Sequence, residues 1–547
     1  MTAQPASTVA ELLVRRSDDD HVGLLAGDDQ WTWREVVERS AEVARWLVAR
    51  RDPGPFHIGV LLDNTPDYLF TLFGAAMAGA AVVGINNTRR GGELARDIRH
   101  TDCQMVITDV GYADLLGGLD LGGVPVVLAT DIDLSAGATA DLPSGPDLPN
   151  ADDLFVLIFT SGSTGAPKAV RMTHGRAAGM ASGSTWLGGD DVLYSAMPLF
   201  HGNALNAIVL PALGSGATIA LRPRFSASQF MPDIRRYRAT FFSTVGRALS
   251  YVLATPESAD DRDNVVKFAL APESSPVDMK SFRSRFGISC FAGYGSSENA
   301  LIFSPVSGMP KDALGVPLEG TDAAVVDPAT LEERPVAEFD GAGRILNAGE
   351  AIGELVGRNV VGRFEGYYNN PAADAERTRN GWYWSGDLGY RDAEGIFFFA
   401  GRSGDWLRVD AENFAAAPVE RILGRFEGVR GTAVYAVPDE RTADDQVMAA
   451  LELDEGREFD APAFAAFLDE QADLGTKWAP RYVRITTLPV GATNKIDKKP
   501  LKGDRWYTAD PIWWRPESRG PYLPFTDADL EALEARFHQH GRAISVP

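Results

Sequence analysis

The sequence predicts an α/β protein: a large N-terminal domain of parallel-rich sheets and helices, a small β-rich subdomain, then a small α+β domain. Three observations lead there. Helical and strand periodicities alternate from the N-terminus to about residue 301, the pattern of parallel sheets covered by helices. After Leu314 the strands shorten and turns crowd between them. Around residue 403 the character changes again, to a pair of strands and a helix. At 547 residues the chain is too long for one hydrophobic core. The expected division is 1–403, 404–505 and a tail at 506–547.

Element by element, Val36 to Arg50 has helical spacing and ends in basic residues, which suit a helix C-terminus. His57–Leu62 reads as a strand, Tyr68–Met77 as a helix and Ala81–Ile85 as a strand. Glu93–His100 is helical again and Gln104–Asp109 strand-like. The Gly-, Pro- and Ser-rich stretch from Ser135 to Ala151 is a surface connection. It leads into Leu154–Phe159, a short apolar run that reads as a buried strand. Val192 to Leu301 repeats the alternation. In the small domain, Val434–Val437 and Met448–Leu453 are strands and Pro462–Gln471 a helix. In the tail, Thr526 and Asp529 have the spacing of a capping box and Gly541 can close the helix they open.

Fifty-two basic against seventy-five acidic side chains give a formal charge of −23. That excess argues against nonspecific binding to nucleic acid or to an anionic membrane surface. The most membrane-like run, Leu69–Ile85, is only seventeen residues long and contains three glycines, so stable membrane insertion is not expected. Cys103 and Cys290 are isolated, which suggests neither a disulfide framework nor a metal site and suits a reducing cytoplasm.

Chemistry concentrates in a few segments. The strand Leu154–Phe159 breaks into Thr160-Ser161-Gly162-Ser163-Thr164-Gly165-Ala-Pro-Lys168. Backbone N–H groups, hydroxyls and a lysine gathered after a strand can close around a polyphosphate. No Gly-Lys-Ser/Thr follows, so this is not the Walker loop. Further on come Pro198-Leu-Phe-His201, Tyr294-Gly-Ser-Ser297-Glu298, Ser385-Gly-Asp387, Gly401-Arg402-Ser-Gly404-Asp405 and Asn494-Lys495-Ile-Asp-Lys498. Singly these are weak. His201 alone reads as a satisfied structural histidine, Glu298 as a turn residue and Lys495 as a solvated lysine.

In this order and spacing the segments resemble the AMP-forming adenylating enzymes: acyl-CoA synthetases, peptide-synthetase adenylation domains and luciferases. The resemblance spans about residues 10–505. Gly84–Gly91, Arg224–Phe230, Leu249–Pro256 and Gly404–Arg408 look most like the branch of fatty-acid-transport proteins and very-long-chain acyl-CoA synthetases. The resemblance implies ATP as substrate, with the loop from Thr160 to Lys168 on its phosphates, Tyr294 on adenine, Ser297 on the α-phosphate, and Asp387 and Arg402 on ribose. It implies that Glu298 holds Mg²⁺, that His201 lies between acyl pocket and phosphates, and that Lys495 bridges carboxylate and α-phosphate. It also makes the small domain mobile, turning about Gly404 so that CoA can attack the acyl-adenylate.

Three positions depart from the pattern. Ala411 stands where the family usually carries a glycine beside the pantetheine tunnel, and its methyl can narrow the path of CoA. Secondly, Ala271-Pro272-Glu273 replaces a Gly-Asn-Gly-like segment; thirdly, Asn299-Ala300 replace the usual Gly-rich continuation after Glu298, and Asn494 replaces the usual glycine before the lysine. Two enzymatic readings follow. One is a ligase joining a fatty, steroid-like or aryl acid to CoA. The other keeps adenylation but activates nitrite, converting an aryl amine to a diazo compound.

Overall fold

The alternation read from the sequence folds into two parallel-rich sheets. The computed structural model describes residues 6–540 apart from 138–140, 142–147, 161–166, 185, 273, 275, 307, 311–312, 342–344, 403–404, 410–411, 441–444, 472, 476, 492–494 and 518–519. Its contacts divide the chain into two compact units. The first is Met1–Ile302 with Val360–Arg379; the second is Phe303–Asn359 with Asn380–Pro547.

In the first unit, a six-stranded sheet runs in the order Val126–Leu128, Cys103–Thr108, His57–Leu61, Ala81–Gly84, Leu154–Thr160, Lys168–Thr173. Every neighbouring pair is parallel except the last. A seven-stranded sheet has the order Cys290–Phe291, Phe268–Leu270, Phe241–Ser243, Val192–Ser195, Thr218–Leu221, Val22–Ala26, Asp29–Thr32. Only its final hairpin is antiparallel. That hairpin was not expected from the periodicity, because its second strand, Asp29–Thr32, has no buried residue to give an apolar alternation.

Local chemistry sets the helices. Trp33–Val48 begins at Thr32, whose side chain caps Glu35 N–H while Glu35 answers with the reciprocal bond. Its apolar face packs on the helix Pro66–Ala78, which is buried on nearly every side. The membrane-like run is thereby explained. The helix stops at Gly79, in the left-handed conformation that favours glycine, and the chain re-enters the sheet as Ala81–Gly84. No helix among the described residues is long and apolar enough to cross a membrane.

The second unit contains an antiparallel sheet ordered Ile302–Ser304, Ala313–Pro317, Phe397–Arg402, Tyr383–Arg391, Gly353–Gly357, Ala323–Val326. A second sheet joins Val429–Pro438, Asp445–Leu453, Tyr482–Ile485, Ile512–Trp514 and Leu523–Pro524. The strand Ile512–Trp514 pairs with Tyr482–Arg484, and Trp514 stacks on the buried Tyr482 ring at 6.2 Å. The helix Asp527–Gln539 is capped as the sequence predicts, with Thr526 and Asp529 exchanging both capping bonds. Gly541, the expected end of that helix, lies outside the described residues.

Candidate active site

In open α/β sheets, ligands sit beyond the carboxyl ends of the parallel strands. The chemistry-bearing segments of the first unit all follow such ends: Thr160 closes one strand, and the segments from Ala196, Thr244, Ala271 and Ala292 follow others. Thr160 is paired with Lys168 across the two strands that flank the Ser/Thr/Gly loop. Ser161, Gly162, Ser163, Thr164 and Gly165 lie outside the described residues. The loop's two ends are therefore set by one antiparallel pair.

Lys168 Nζ lies 3.1 Å from Glu376 and 5.7 Å from the centroid of the Tyr367 ring. Both partners come from the returning segment Val360–Arg379, two hundred residues downstream. There the Arg171 N–H donates to Gly366 O at 3.0 Å and the Tyr368 N–H to Ala169 O at 2.8 Å. Tyr367 in turn reaches Glu298, its hydroxyl donating to Oε1 at 2.6 Å. The lysine after the phosphate-loop candidate and the acidic residue of the Tyr-Gly segment are thus joined through one phenol.

Glu298 is buried, and Arg176 Nη1 donates to its backbone carbonyl at 2.9 Å. Tyr294 and Ser297 are half-buried beside it. His201 stands at the N-cap position of the short helix Gly202–Ala204, with no side-chain capping bond, and the helix passes into a π-turn at Leu205–Val209. π-turns recur at functional sites. A Cβ built on Gly202 would lie 3.6 Å from Ser297 Oγ, and Asn206 Nδ2 donates to Asn299 Oδ1 at 3.4 Å. The His201 and Tyr294–Glu298 segments therefore adjoin. Tyr367, Glu376, Arg377 and Arg176 are not singled out by the sequence; the helix-start signature Asn370-Pro371, with Asn370 capping Ala373, is the local mark of the segment that carries the first three, while Arg176 lies on the helix His174–Ser182.

The second unit gathers the other group. Asp387 and Arg402 are direct partners in the hairpin of Tyr383–Arg391 and Phe397–Arg402. The Gly386 N–H donates to Glu354 Oε1 at 3.0 Å, and the Asp387 N–H to Ser385 Oγ at 3.1 Å, which fix the turn before the aspartate. Lys495 is half-buried in a tight return, its carbonyl accepting from the Gly491 N–H at 2.8 Å while Val490 bridges Ile496. Gly404, Ala411, Glu273 and Asn494 lie outside the described residues.

Three residues after Lys495, Lys498 sits between Asp405 at 3.0 Å and Glu420 at 2.8 Å, and Lys502 approaches Asp405 at 2.8 Å. Burial works against charge on Lys498, yet Glu420 and Asp405 outweigh it and raise its pKa. Burial likewise opposes charge on Asp405, but the two lysines hold its carboxyl below the usual carboxylate range. The Lys-rich stretch that reads as solvated surface is therefore in part a desolvated ion cluster.

No group of three or more His, Cys, Asp or Glu able to hold a metal exists among the described residues. Glu298 is a single buried carboxylate. That donor set fits Mg²⁺, which binds through one or two carboxylates plus phosphate oxygens and water.

Comparison with known proteins identifies the family and the fold. The family model for AMP-binding enzymes matches residues 13–368. The chain is 49% identical over 549 residues to the steroid-22-oyl-CoA synthetase of Rhodococcus jostii, covering 98% of each. It is 44% identical over 511 residues to a medium/long-chain-fatty-acid–CoA ligase of Mycobacterium tuberculosis, covering 92% of this chain and 98% of that one. The fold superposes on ATP-bound MatB of Rhodopseudomonas palustris with a TM-score of 0.78 at 23% identity, over 92% of this chain and 100% of that chain. It superposes equally, at 0.78 and 20% identity, on the anthranilate CoA ligase AuaEII with anthranoyl-AMP, covering 91% and 97% of the two chains. These relatives give no support to nitrite activation, and that reading is dropped. They support the superfamily without singling out the fatty-acid-transport-protein branch. The chain belongs to the AMP-binding enzyme family and is an AMP-forming acyl-CoA ligase.

Proposed function

We propose that this ligase activates a carboxylic acid borne on a steroid side chain or a medium-to-long aliphatic chain. The observation that carries the substrate class is its identity to the steroid-22-oyl-CoA synthetase along nearly the whole of both chains. In the first half-reaction a carboxylate oxygen attacks the α-phosphorus of ATP and pyrophosphate leaves. Two anions must meet, so the chain's task is to hold donors and positive charge where charge develops. In this reading the loop Thr160–Lys168 wraps the phosphates, Lys495 bridges carboxylate and α-phosphate, and Ser297 donates to the α-phosphate. Tyr294 packs on adenine, Asp387 accepts hydrogen bonds from the ribose hydroxyls and Arg402 donates to them. His201 stands between acyl pocket and phosphates. Glu298 would hold Mg²⁺, whose charge offsets that of the phosphates.

In the second half-reaction the thiol of CoA attacks the acyl carbon and AMP leaves. The 404–505 domain turns about Gly404 to withdraw Lys495 and open the thiol's path, on a microsecond-to-millisecond timescale. Two cysteines without a disulfide support a cytoplasmic setting.

The test offers the enzyme Mg-ATP, CoA and one acid at a time: a steroid-22-oic acid, fatty acids of graded length, or benzoates. Thioester formation fastest with the steroid or aliphatic acids is the expected result. Preference for benzoates, or pyrophosphate release without thioester, would overturn the assignment.

A further inference from the structure

Glu298 carries two carboxylate oxygens, and the contacts around it treat them differently. Oε1 accepts the Tyr367 hydroxyl at 2.6 Å and lies 3.8 Å from Arg377 Nη2. No side chain among the described residues donates to Oε2. Arg377 Nε donates to the Tyr367 hydroxyl oxygen at 3.0 Å. A phenol that already accepts from a guanidinium directs its own proton elsewhere, here to the carboxylate. The phenol itself is held fast. Tyr367 is 3% exposed, its backbone bridges Val170, and its N–H donates to Asp374 Oδ1 at 2.7 Å. Gly366 before it has φ +83°, where a Cβ would meet the Asp374 carboxylate at 3.1 Å, so the turn that aims the ring needs glycine.

We infer that Tyr367 is a positioning residue for Glu298: its hydroxyl, oriented by Arg377, occupies Oε1 and leaves Oε2 aimed for the nucleotide-bound cation. The chemistry is that of outer partners orienting a ligand. A carboxylate free to rotate costs entropy on binding a cation, whereas one held by a buried charge-assisted bond does not. Arg377 also partly balances the charge of the buried carboxylate, 3.8 Å away.

This rests on the reading of Glu298 as the cation's ligand, and the experiment separates the two. Mn²⁺, in place of Mg²⁺, is titrated by paramagnetic resonance into the full chain with ATP, and AMP binding is measured without metal. Tyr367→Phe is expected to weaken Mn²⁺ binding about ten-fold, while AMP affinity stays within two-fold. Glu298→Gln should weaken Mn²⁺ more, and the double variant no further than Glu298→Gln alone. Unchanged Mn²⁺ affinity in Glu298→Gln would remove the assignment of the ligand itself. A loss in Glu298→Gln with none in Tyr367→Phe would remove only the positioning role. Phe keeps the ring and deletes one oxygen; a Tyr367→Phe protein that does not fold, or that loses AMP binding in parallel, would also overturn the role by making the bond purely structural.

Discussion

The two compact units hold their chemistry by different means. In the first, Glu298 is fixed by hydrogen bonds, from the Tyr367 hydroxyl to its carboxylate and from Arg176 to its backbone carbonyl, supplied by a returning segment and a helix. In the second, the stretch after Lys495 is pinned by an ion cluster: Lys498 and Lys502 against Asp405 and Glu420. The Val434 N–H donates to Glu420 at 2.7 Å, which ties that cluster to the small sheet. The contrast suits the tasks proposed for the two residues. A carboxylate that must receive a cation needs one oxygen left open. A lysine that must be carried in and out needs a stiff base. Asp405 directly follows the proposed hinge, so the cluster links the hinge strand Trp406–Val409 to the helix Lys498–Asp504 behind Lys495.

Lys495→Ala breaks the comparison most severely. It should lower pyrophosphate release by a factor on the order of 10²–10³, the usual cost of losing one preorganised charge donor. Thioester formation from synthetic acyl-AMP should persist, because the proposed mechanism withdraws Lys495 in that step. Equal loss in both steps would remove the two-state role.

Asp405→Asn tests the base. It leaves half-buried Lys498 with Glu420 alone, and removing one partner of a largely desolvated pair is costly, so the second unit should lose about 2 kcal/mol in a denaturant titration. A shift under about 0.5 kcal/mol would show the cluster to be ordinary surface pairing.

Acid should separate the units further. His174, fully buried against Phe155, has neither ring nitrogen hydrogen-bonded. Burial pushes its pKa down to about 4. Between the unfolded value near 6.5 and that lowered value the unfolded chain binds the extra proton. The first unit's stability is therefore full above about pH 6.5 and falls by about 2 kcal/mol at pH 5. Asp405 behaves otherwise. Held below the usual carboxylate range, it contributes fully above about 3.8 and is lost only as pH falls through its lowered value. Melting curves from pH 7.5 to 5 should show the first unit weakening alone, and His174→Phe should flatten that limb. A parallel decline of both units would contradict the assignment.

The smallest effect belongs to Ala411→Gly, which, in the reading proposed for this position, should raise the CoA-dependent rate about two- to three-fold by removing one methyl from the path of CoA. A lower rate would show that the methyl packs rather than obstructs.

What the sequence disclosed and what it hid have a common physical cause. The loop after Leu154–Phe159 is legible because a buried strand, a glycine-rich break and a lysine are consecutive, as are the Tyr294–Glu298 and Ser385–Asp387 segments. The helix at Asp527–Gln539 is legible from its cap. Tyr367 and Arg377 are not, because their meaning arises only when a segment returns across two hundred residues to the strand Lys168–Thr173. Lys498 misleads for the same reason: among lysines it reads as solvated, and only folding brings Asp405 and Glu420 to desolvate and pair it. The hairpin Val22–Thr32 escapes because its second strand is half-exposed at a sheet edge and carries no alternating pattern.

The central claim is a two-step ligase whose adenylate passes from a site holding Glu298 to CoA after Lys495 withdraws. The most direct measurement is a single turnover of enzyme, Mg-ATP and a steroid-22-oic acid without CoA, followed by a CoA chase. The account predicts one equivalent each of pyrophosphate and enzyme-bound acyl-AMP, converted by CoA to thioester and AMP. No acyl-AMP before the chase, or acyl-AMP that CoA does not consume, would contradict it.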